Sequence, residues 1–199
     1  GLGDVYKRQD VEVNPCIGME DPYYYRNKIQ MPFGKDDRGN PYCGFYKAST
    51  HVIVPVEECY IEDRRAKPIL DAIKSLIKSF RIEPYDEDSG YGLLRHVLIK
   101  TSYYKQQVMV VLVTSSDFFP GRNNFVKALV EKCPEITTVI QNVNGRHTSV
   151  ILGDKERVLY GKGYIEDTLC GVSFQISSKS FYQTNPVMTE KLYSYAMKQ

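Results

Sequence analysis

Long apolar runs are absent from this sequence. No stretch of its 199 residues approaches the roughly 20 consecutive apolar residues that a transmembrane helix requires. Hydrophobic residues make up 42% of the chain and charged residues 25%, the balance of an ordinary globular protein that is long enough to bury a substantial core. We therefore expect a cytoplasmic, monomeric protein with no membrane partner.

The sequence also lacks the cysteine and histidine spacings of metal and disulfide sites. Its five cysteines, an odd number, form no Cys-x-x-Cys pair, and none of its three histidines has a metal-ligand partner three or four residues away. A disulfide framework is not expected in a cytosolic chain of this size. The cysteines are Cys16, Cys43, Cys59, Cys133 and Cys170.

A glycine-rich turn that opens a helix, the usual cofactor loop of a Rossmann-like domain, is missing as well. The nearest candidate, Gly161-Lys162-Gly163, is followed by Tyr164-Ile165-Glu166-Asp167 rather than by a helical run. We interpret it as a hairpin turn. The sequence therefore contains no complete binding core for a nucleotide-like cofactor.

Net charge gives little information about partners, because a formal charge of +2 does not by itself indicate nucleic-acid binding. The local pattern is more specific. Arg26 and Lys28 share one face of a predicted strand, with Tyr24 on the same face. Basic side chains beside aromatic rings suit single-stranded RNA, whereas the alternative is a solvated strand face.

Apolar periodicity predicts an α+β fold, in which helices cover one face of a largely antiparallel sheet. Two amphipathic helices are expected near residues 67–80 and 123–132, the second ending at Cys133-Pro134. The acidic loop Pro84 to Gly92 is interpreted as a solvated connection. After residue 92, strands are predicted at residues 95–100, 108–114, 137–143, 149–152, 158–160 and 172–177.

The last predicted strand leads through a polar turn into a helix that Asn185 caps and Pro186 begins. Phe181 and Gln183 lie in the turn. An aromatic ring and a carboxamide suit a flat heterocycle, because the ring offers a stacking face and the amide offers a donor and an acceptor. The alternative is that Phe181 fills the core and Gln183 is a simple turn residue.

Several short motifs resemble, in order, those of the RNA (uracil-5-)methyltransferases that act on 23S ribosomal RNA and on tRNA. The most specific is Ser180-Phe181-Tyr182-Gln183-Thr184-Asn185-Pro186. The resemblance implies that Phe181 lies by the target pyrimidine and Gln183 by S-adenosylmethionine. The other matching stretches are Pro22 to Gln30, Gly44-Phe45-Tyr46 followed by His51-Val52-Ile53 and Glu58-Cys59-Tyr60-Ile61, Gly92-Leu93-Leu94-Arg95-His96, and Ile140-Gln141-Asn142-Val143-Asn144.

The resemblance also implies a fragment of a longer enzyme that methylates C5 of a uridine in 23S ribosomal RNA. Residues 1–9 are interpreted as a non-native linker, residues 10–177 as a central RNA-recognition domain, and residues 178–199 as the first strand-turn-helix of a truncated Rossmann-like methyltransferase domain. The family's catalytic cysteine, in a Ser-Cys-Asn-Pro string, does not occur here. The fragment is therefore expected to be inactive, with no catalytic residue of its own.

Cys59 falls where many family members place the fourth ligand of a 4Fe-4S cluster. The three upstream cysteines of that pattern are absent from the sequence, so the resemblance implies that Cys59 is an orphaned ligand. A different function, a stand-alone RNA-binding module without catalysis, fits the same residues.

Overall fold

The computed structural model describes residues 14–198, so the predicted linker at residues 1–9 lies outside the described residues. The described chain forms nine strands and three helices. In order they are β1 (Lys28–Lys35), β2 (Pro41–Tyr46), β3 (Ile53–Pro55), α1 (Ala66–Phe80), β4 (Leu94–Thr101), β5 (Val108–Thr114), α2 (Arg122–Lys132), β6 (Ile136–Val143), β7 (Lys155–Tyr160), β8 (Ile165–Leu169), β9 (Val172–Ile176) and α3 (Pro186–Ala196).

Seven strands form one sheet in the order β3-β2-β1-β4-β5-β6-β7. Every neighbouring pair is antiparallel except β5 and β6, which are parallel because α2 crosses between them. Every residue of β4 and β5 is buried. Central strands covered on both faces need apolar side chains in succession, which explains the run from Val108 to Val113.

Helices α1 and α2 pack on one face of this sheet, as the periodicity predicts. The buried stripe of α1 includes Ile69, Ile73 and Leu76, and α2 contributes Phe125 and Leu129 to the same core. The predicted α+β class, with a largely antiparallel sheet and helices on one face, is confirmed.

A two-stranded hairpin, β8 and β9, covers part of the opposite face of the sheet. Ile165 and Ile176 of the hairpin form a second apolar core with Leu98, Met109 and Val111 of the central strands. The sequence pattern predicts β9 but not β8, because three polar residues follow one another in β8 and its buried central residue is the polar Asp167.

Two predictions about local structure are wrong. The segment Ser149 to Leu152 is not a strand: the carbonyls of Val150 and Ile151 accept hydrogen bonds from the Asn144 side chain at 2.7 and 3.0 Å instead of pairing with a neighbouring strand. The glycine turn at residues 161–163 is not a hairpin, because it joins β7 of the large sheet to β8 of the small one. A side chain at Gly161 would meet the Thr137 carbonyl oxygen at 2.2 Å, so this turn requires glycine.

The loop from Pro84 to Gly92 is less solvated than predicted. Glu87 from this loop pairs with Arg95 of β4, and the two side chains are only 11% and 2% exposed. Arg95 also donates to the carbonyls of Asn144 and Arg146 at 2.7 and 2.9 Å. One arginine thus joins two loops to the edge of the core.

No helix within residues 14–198 has both the length and the apolarity of a transmembrane segment.

All three histidines line one cavity of about 390 Å³ beside the Arg95 pair. His96 is 4% exposed, and its Nδ1 atom has no hydrogen-bond partner among the described residues. Burial, with a smaller contribution from Arg95, lowers the pKa of His96 to about 4. The imidazole is therefore neutral in the folded protein.

This burial predicts a loss of stability in acid. A histidine in the unfolded chain has a pKa of about 6.5. The folded state is therefore fully stable with respect to this group above pH 6.5 and loses stability as the pH falls towards 4. The free energy of unfolding should decrease by up to about 3 kcal/mol over this range. Urea unfolding at several pH values should show a steep loss across this range that is reduced in His96→Phe.

His51 provides a control with the opposite sign. The hydrogen bond that the His51 ring donates to the exposed carboxylate of Asp88 raises the pKa of His51, so any contribution from this pair is present below pH 6.5 and fades as the pH rises. The His51→Asn variant should keep the acid loss of the parent chain. An unchanged pH dependence in His96→Phe would show that another group causes it.

Candidate nucleic-acid interface

The segment from Ser177 to Asn185, called the connector below, joins β9 to α3 and carries both residues that the sequence suggests for a heterocycle. Lys100 of β4 fixes its first half, because its ammonium group donates to the carbonyls of Ser177 and Ser180 at 2.8 Å each. The hydroxyls of these two serines lie 2.8 Å apart and close the turn locally. The connector is therefore tied to a central strand of the sheet.

Its second half is fixed by two other elements. Asn27, just before β1, donates from its side chain to the Gln183 carbonyl at 2.9 Å and from its backbone to the Thr184 carbonyl at 3.1 Å. The Tyr182 hydroxyl donates to Asp167 of β8 at 3.3 Å. Asp167 is fully buried and also accepts the backbone N–H groups of Tyr103 and Tyr104, both at 2.9 Å. Burial and this carboxylate raise the pKa of Tyr182.

Asn185 ends the connector as the predicted helix cap. Its side-chain oxygen accepts the backbone N–H of Met188 at 3.0 Å, and Pro186 occupies the first turn of α3. This part of the local prediction is confirmed.

Phe181 projects from this fixed backbone into solvent. Its side chain is 86% exposed, so the interpretation that it fills the core is wrong. The neighbouring Gln183 is half-buried, and its side chain makes no hydrogen bond within residues 14–198; only its backbone carbonyl is used. A fixed backbone that presents an unpacked ring and an unpaired carboxamide is the geometry that binding of a flat heterocycle requires.

The basic pair at the start of β1 is only partly as predicted. Lys28 is exposed and lies opposite Lys100 in the pairing of β1 with β4. Arg26 precedes the strand, is half-buried, and forms an isolated bridge with Glu62. Tyr24 does not share their face, because its backbone is left-handed with φ of 53° and its ring instead lies 3.8 Å from the Arg64 guanidinium.

Lys28 and Phe181 meet at one cavity of about 70 Å³ between β1, β4 and the connector. The structure thus brings together two residues that are far apart in the sequence. It also adds Lys100, to which the sequence pattern assigns no role. The only sequence signal for Lys100 is a charged residue at the end of an apolar strand.

Cys59 lies elsewhere, half-buried at a cavity of about 240 Å³ that Cys43 also lines. Burial raises the pKa of the Cys43 thiol to about 11. Within residues 14–198, no group of three or more histidine, cysteine, aspartate or glutamate side chains is arranged to hold a metal ion. The described residues therefore do not fit a four-thiolate cluster.

No family model matches the chain. Over 188 residues it is 45% identical to an uncharacterized RNA methyltransferase of Clostridium acetobutylicum and 39% identical to one of Oceanobacillus iheyensis. Each alignment covers 94% of this chain but 41% of the relative, so the chain spans less than half the length of these proteins.

The fold is similar to part of a solved structure, the tRNA (uracil-54, C5)-methyltransferase of Pyrococcus abyssi in complex with S-adenosyl-L-homocysteine. The TM-score is 0.75 at 24% sequence identity, with 90% of this chain and 42% of that chain covered. This likeness concerns the fold. The resemblance to RNA methyltransferases that the motifs predict is confirmed by the sequence relatives, to which the chain is similar over 94% of its length.

Proposed function

We propose that the chain is the RNA-positioning part of an S-adenosylmethionine-dependent RNA (uracil-5-)methyltransferase that modifies a uridine in 23S ribosomal RNA. The observation that carries the proposal is the exposed Phe181 on a connector that is hydrogen-bonded to the sheet, in a chain related to RNA methyltransferases. In this proposal residues 10–177 recognise RNA, and residues 178–199 begin the methyltransferase domain. Cytoplasmic location and a monomeric state stay predictions.

The site is suited to holding an extruded base. The C5 atom of a uridine in folded RNA must leave its stack before it can react. Phe181 provides a face on which the uracil ring stacks, and the Gln183 carboxamide hydrogen-bonds the target base or the methyl donor. Hydrogen bonds from Lys100 and Asn27 hold both residues in place before RNA arrives.

The chemical step needs a thiolate that adds to the pyrimidine ring and a base that later removes a proton. Burial raises the pKa values of Cys43 and Cys133 to about 11, so neither thiol is suited to this role. Among the described residues, Gln183 is the one that we assign to contact with S-adenosylmethionine. The Ser-Cys-Asn-Pro string of the family does not occur in the 199 residues, so we expect no methyl transfer by this chain alone and assign the attacking thiolate to the remainder of the whole protein.

Methyl transfer by the whole protein tests this function. Transcripts of 23S ribosomal RNA and of tRNA, labelled with tritium at C5 of uridine, are incubated separately with the enzyme and S-adenosylmethionine. Release of tritium and formation of 5-methyluridine from the 23S transcript is the expected result. Reaction of the tRNA alone would correct the substrate, whereas RNA binding without tritium release would favour a stand-alone binding module.

Arg26 and Lys28 should contribute to RNA affinity through phosphates. Removing one interaction with a phosphate flattens the dependence of log affinity on log salt by roughly 0.7 to 0.9, so replacing both residues by alanine should reduce the slope by up to about two. Lys28 should account for more of the change, because it is exposed whereas Arg26 is half-buried beside Glu62. Fluorescence anisotropy of a uridine-rich RNA at several salt concentrations measures both slopes.

The matched control removes two positive charges from the other side of the sheet. Lys127 and Lys132 are exposed on α2, which packs on the face opposite the hairpin. The Lys127→Ala/Lys132→Ala variant should leave the slope close to that of the parent chain. Equal slopes for the two double variants would mean that Arg26 and Lys28 form only a solvated strand face.

A further inference from the structure

Lys28 and Lys100 lie side by side at the cavity that Phe181 also lines. Lys28 on β1 and Lys100 on β4 are direct neighbours in the antiparallel pairing of these strands. Within residues 14–198, neither ammonium group forms a salt bridge, although Lys100 is only 5% exposed. Like charges directly opposite each other on a sheet are destabilising unless something offsets them.

The surroundings of Lys100 leave it able to bind an anion. Its ammonium group has three donors, and the carbonyls of Ser177 and Ser180 accept two of them. Burial and the charge of Lys28 lower the pKa of Lys100 to about 8, while the carboxylate of Glu156 has a smaller opposite effect. Glu156 itself accepts hydrogen bonds from Asn142 and Ser178. An added negative charge would relieve the repulsion between the two lysines.

The size of the adjoining cavity limits what can enter it. Its volume is about 70 Å³, and Lys28, Lys100 and Phe181 all line it. A cavity of this volume has room for a water-sized group, such as a phosphate oxygen. This arrangement leaves the exposed ring of Phe181 free to stack on a uracil while a phosphate oxygen enters the cavity.

We propose that Lys28 and Lys100 form a phosphate subsite that holds the phosphodiester next to the base stacked on Phe181. This inference rests on the proposed function, which supplies the RNA. It assigns Lys100 two roles: its hydrogen bonds to carbonyls fix the connector, and its remaining N–H donates to the phosphate. Charge-assisted hydrogen bonds of this kind combine strength with precise placement of the strand.

A first experiment uses inorganic phosphate and requires no RNA. Sodium phosphate is added to the isotopically labelled 199-residue chain, with sodium chloride at equal ionic strength as the reference. Saturable NMR shifts confined to Lys28, Lys100 and the connector amides are expected, and their absence would overturn the subsite. The shifts should be lost in Lys100→Met and in Lys28→Met.

The matched control is Lys179, a lysine on the same connector that donates to the Asp154 carbonyl and does not line the cavity. The Lys179→Met variant removes the same charge and should retain the shifts. If Lys100→Met does not fold, Lys28→Met decides the result, because Lys28 makes no hydrogen bond to the connector among the described residues.

A second experiment uses a short RNA in which the phosphates flanking a single uridine are replaced, one at a time, by neutral methylphosphonates. One replacement should weaken binding to the parent chain by about tenfold, the equivalent of one charge-assisted hydrogen bond. The same replacement should weaken RNA binding little further in the Lys28→Met and Lys100→Met variants. In the Lys179→Met variant it should weaken RNA binding as much as in the parent chain. If the losses of affinity from the methylphosphonate and from Lys28→Met or Lys100→Met simply add, the subsite is overturned.

The two proposals fail in different ways. If inorganic phosphate binds at the two lysines but the RNA does not, the lysine pair is an anion site that does not serve RNA, and RNA recognition by this chain is wrong. If the RNA binds and the losses are additive, the proposed function stands and the subsite is wrong.

Discussion

Replacing Phe181 by alanine should reduce methyl transfer by the whole protein by about 5- to 150-fold without changing the melting temperature. Stacking of one base on an aromatic side chain contributes about 1 to 3 kcal/mol, which corresponds to this range. The side chain is 86% exposed, so its removal leaves no cavity, and we expect a stability change within about 0.5 kcal/mol. Thermal melts and initial rates on the 23S transcript measure the two effects.

Phe118 is the matched control for this substitution. It is 78% exposed and lies between β5 and α2, away from the connector. The Phe118→Ala variant removes a similar exposed ring and should leave methyl transfer unchanged. Equal losses in the two variants, or a fall of the melting temperature in Phe181→Ala, would contradict a stacking role.

Gln183→Ala extends the same test to the carboxamide. The Asn27 side chain uses only the backbone carbonyl of residue 183, so the substitution should not loosen the connector. Loss of one hydrogen bond to the target base or to S-adenosylmethionine corresponds to about 0.5 to 1.5 kcal/mol. The rate of methyl transfer should therefore fall modestly. Unchanged activity in Gln183→Ala would remove this residue from the site.

Local sequence patterns predict the elements whose burial follows one period. The stripe of α1 and the apolar runs of β4 and β5 are of this kind, and the structure has them within one or two residues of the predicted bounds. The segment Ser149 to Leu152 has a similar apolar character for another reason: Ile151 and Leu152 pack against the second core from a loop. Periodicity cannot distinguish these cases, because it reports burial and not backbone pairing.

The candidate site is predictable from the sequence only in part. Phe181, Gln183 and Lys28 are visible because they stand in motifs or beside aromatic residues. Lys100 is not, since its importance depends on the pairing of β4 with β1 and on carbonyls of the connector. The predicted face of Tyr24 is wrong because a left-handed residue interrupts the extended chain before β1, and no glycine or asparagine marks that position.

The Gly92 to His96 motif, one of those that resemble the family, has a structural role. Its arginine, Arg95, forms a bidentate pair with Glu87, with Nη2 2.7 and 2.6 Å from the two carboxylate oxygens. Both side chains are largely buried. This residue joins loops to the sheet and lies away from the connector, so its expected importance is for stability.

Arg95→Met should therefore be the most destabilising substitution considered. It leaves the Glu87 carboxylate buried without its partner and removes the donor from the carbonyls of Asn144 and Arg146. Breaking a buried pair in this way costs about 3 to 5 kcal/mol. For a chain of this length, that corresponds to a fall in melting temperature of about 6 to 20 °C, which calorimetry would measure.

Two further variants separate the buried charge from the missing hydrogen bonds. In Arg95→Met/Glu87→Leu the unpaired carboxylate is gone, so part of the stability should return, because apolar replacements of a buried ion pair are often neutral. Lys35→Met breaks an exposed pair with Glu83, whose side chains are 49% and 43% exposed, and should have little effect on the melting temperature. If the double variant is no more stable than Arg95→Met, the cost comes from the missing hydrogen bonds to the two carbonyls and not from the isolated charge on Glu87.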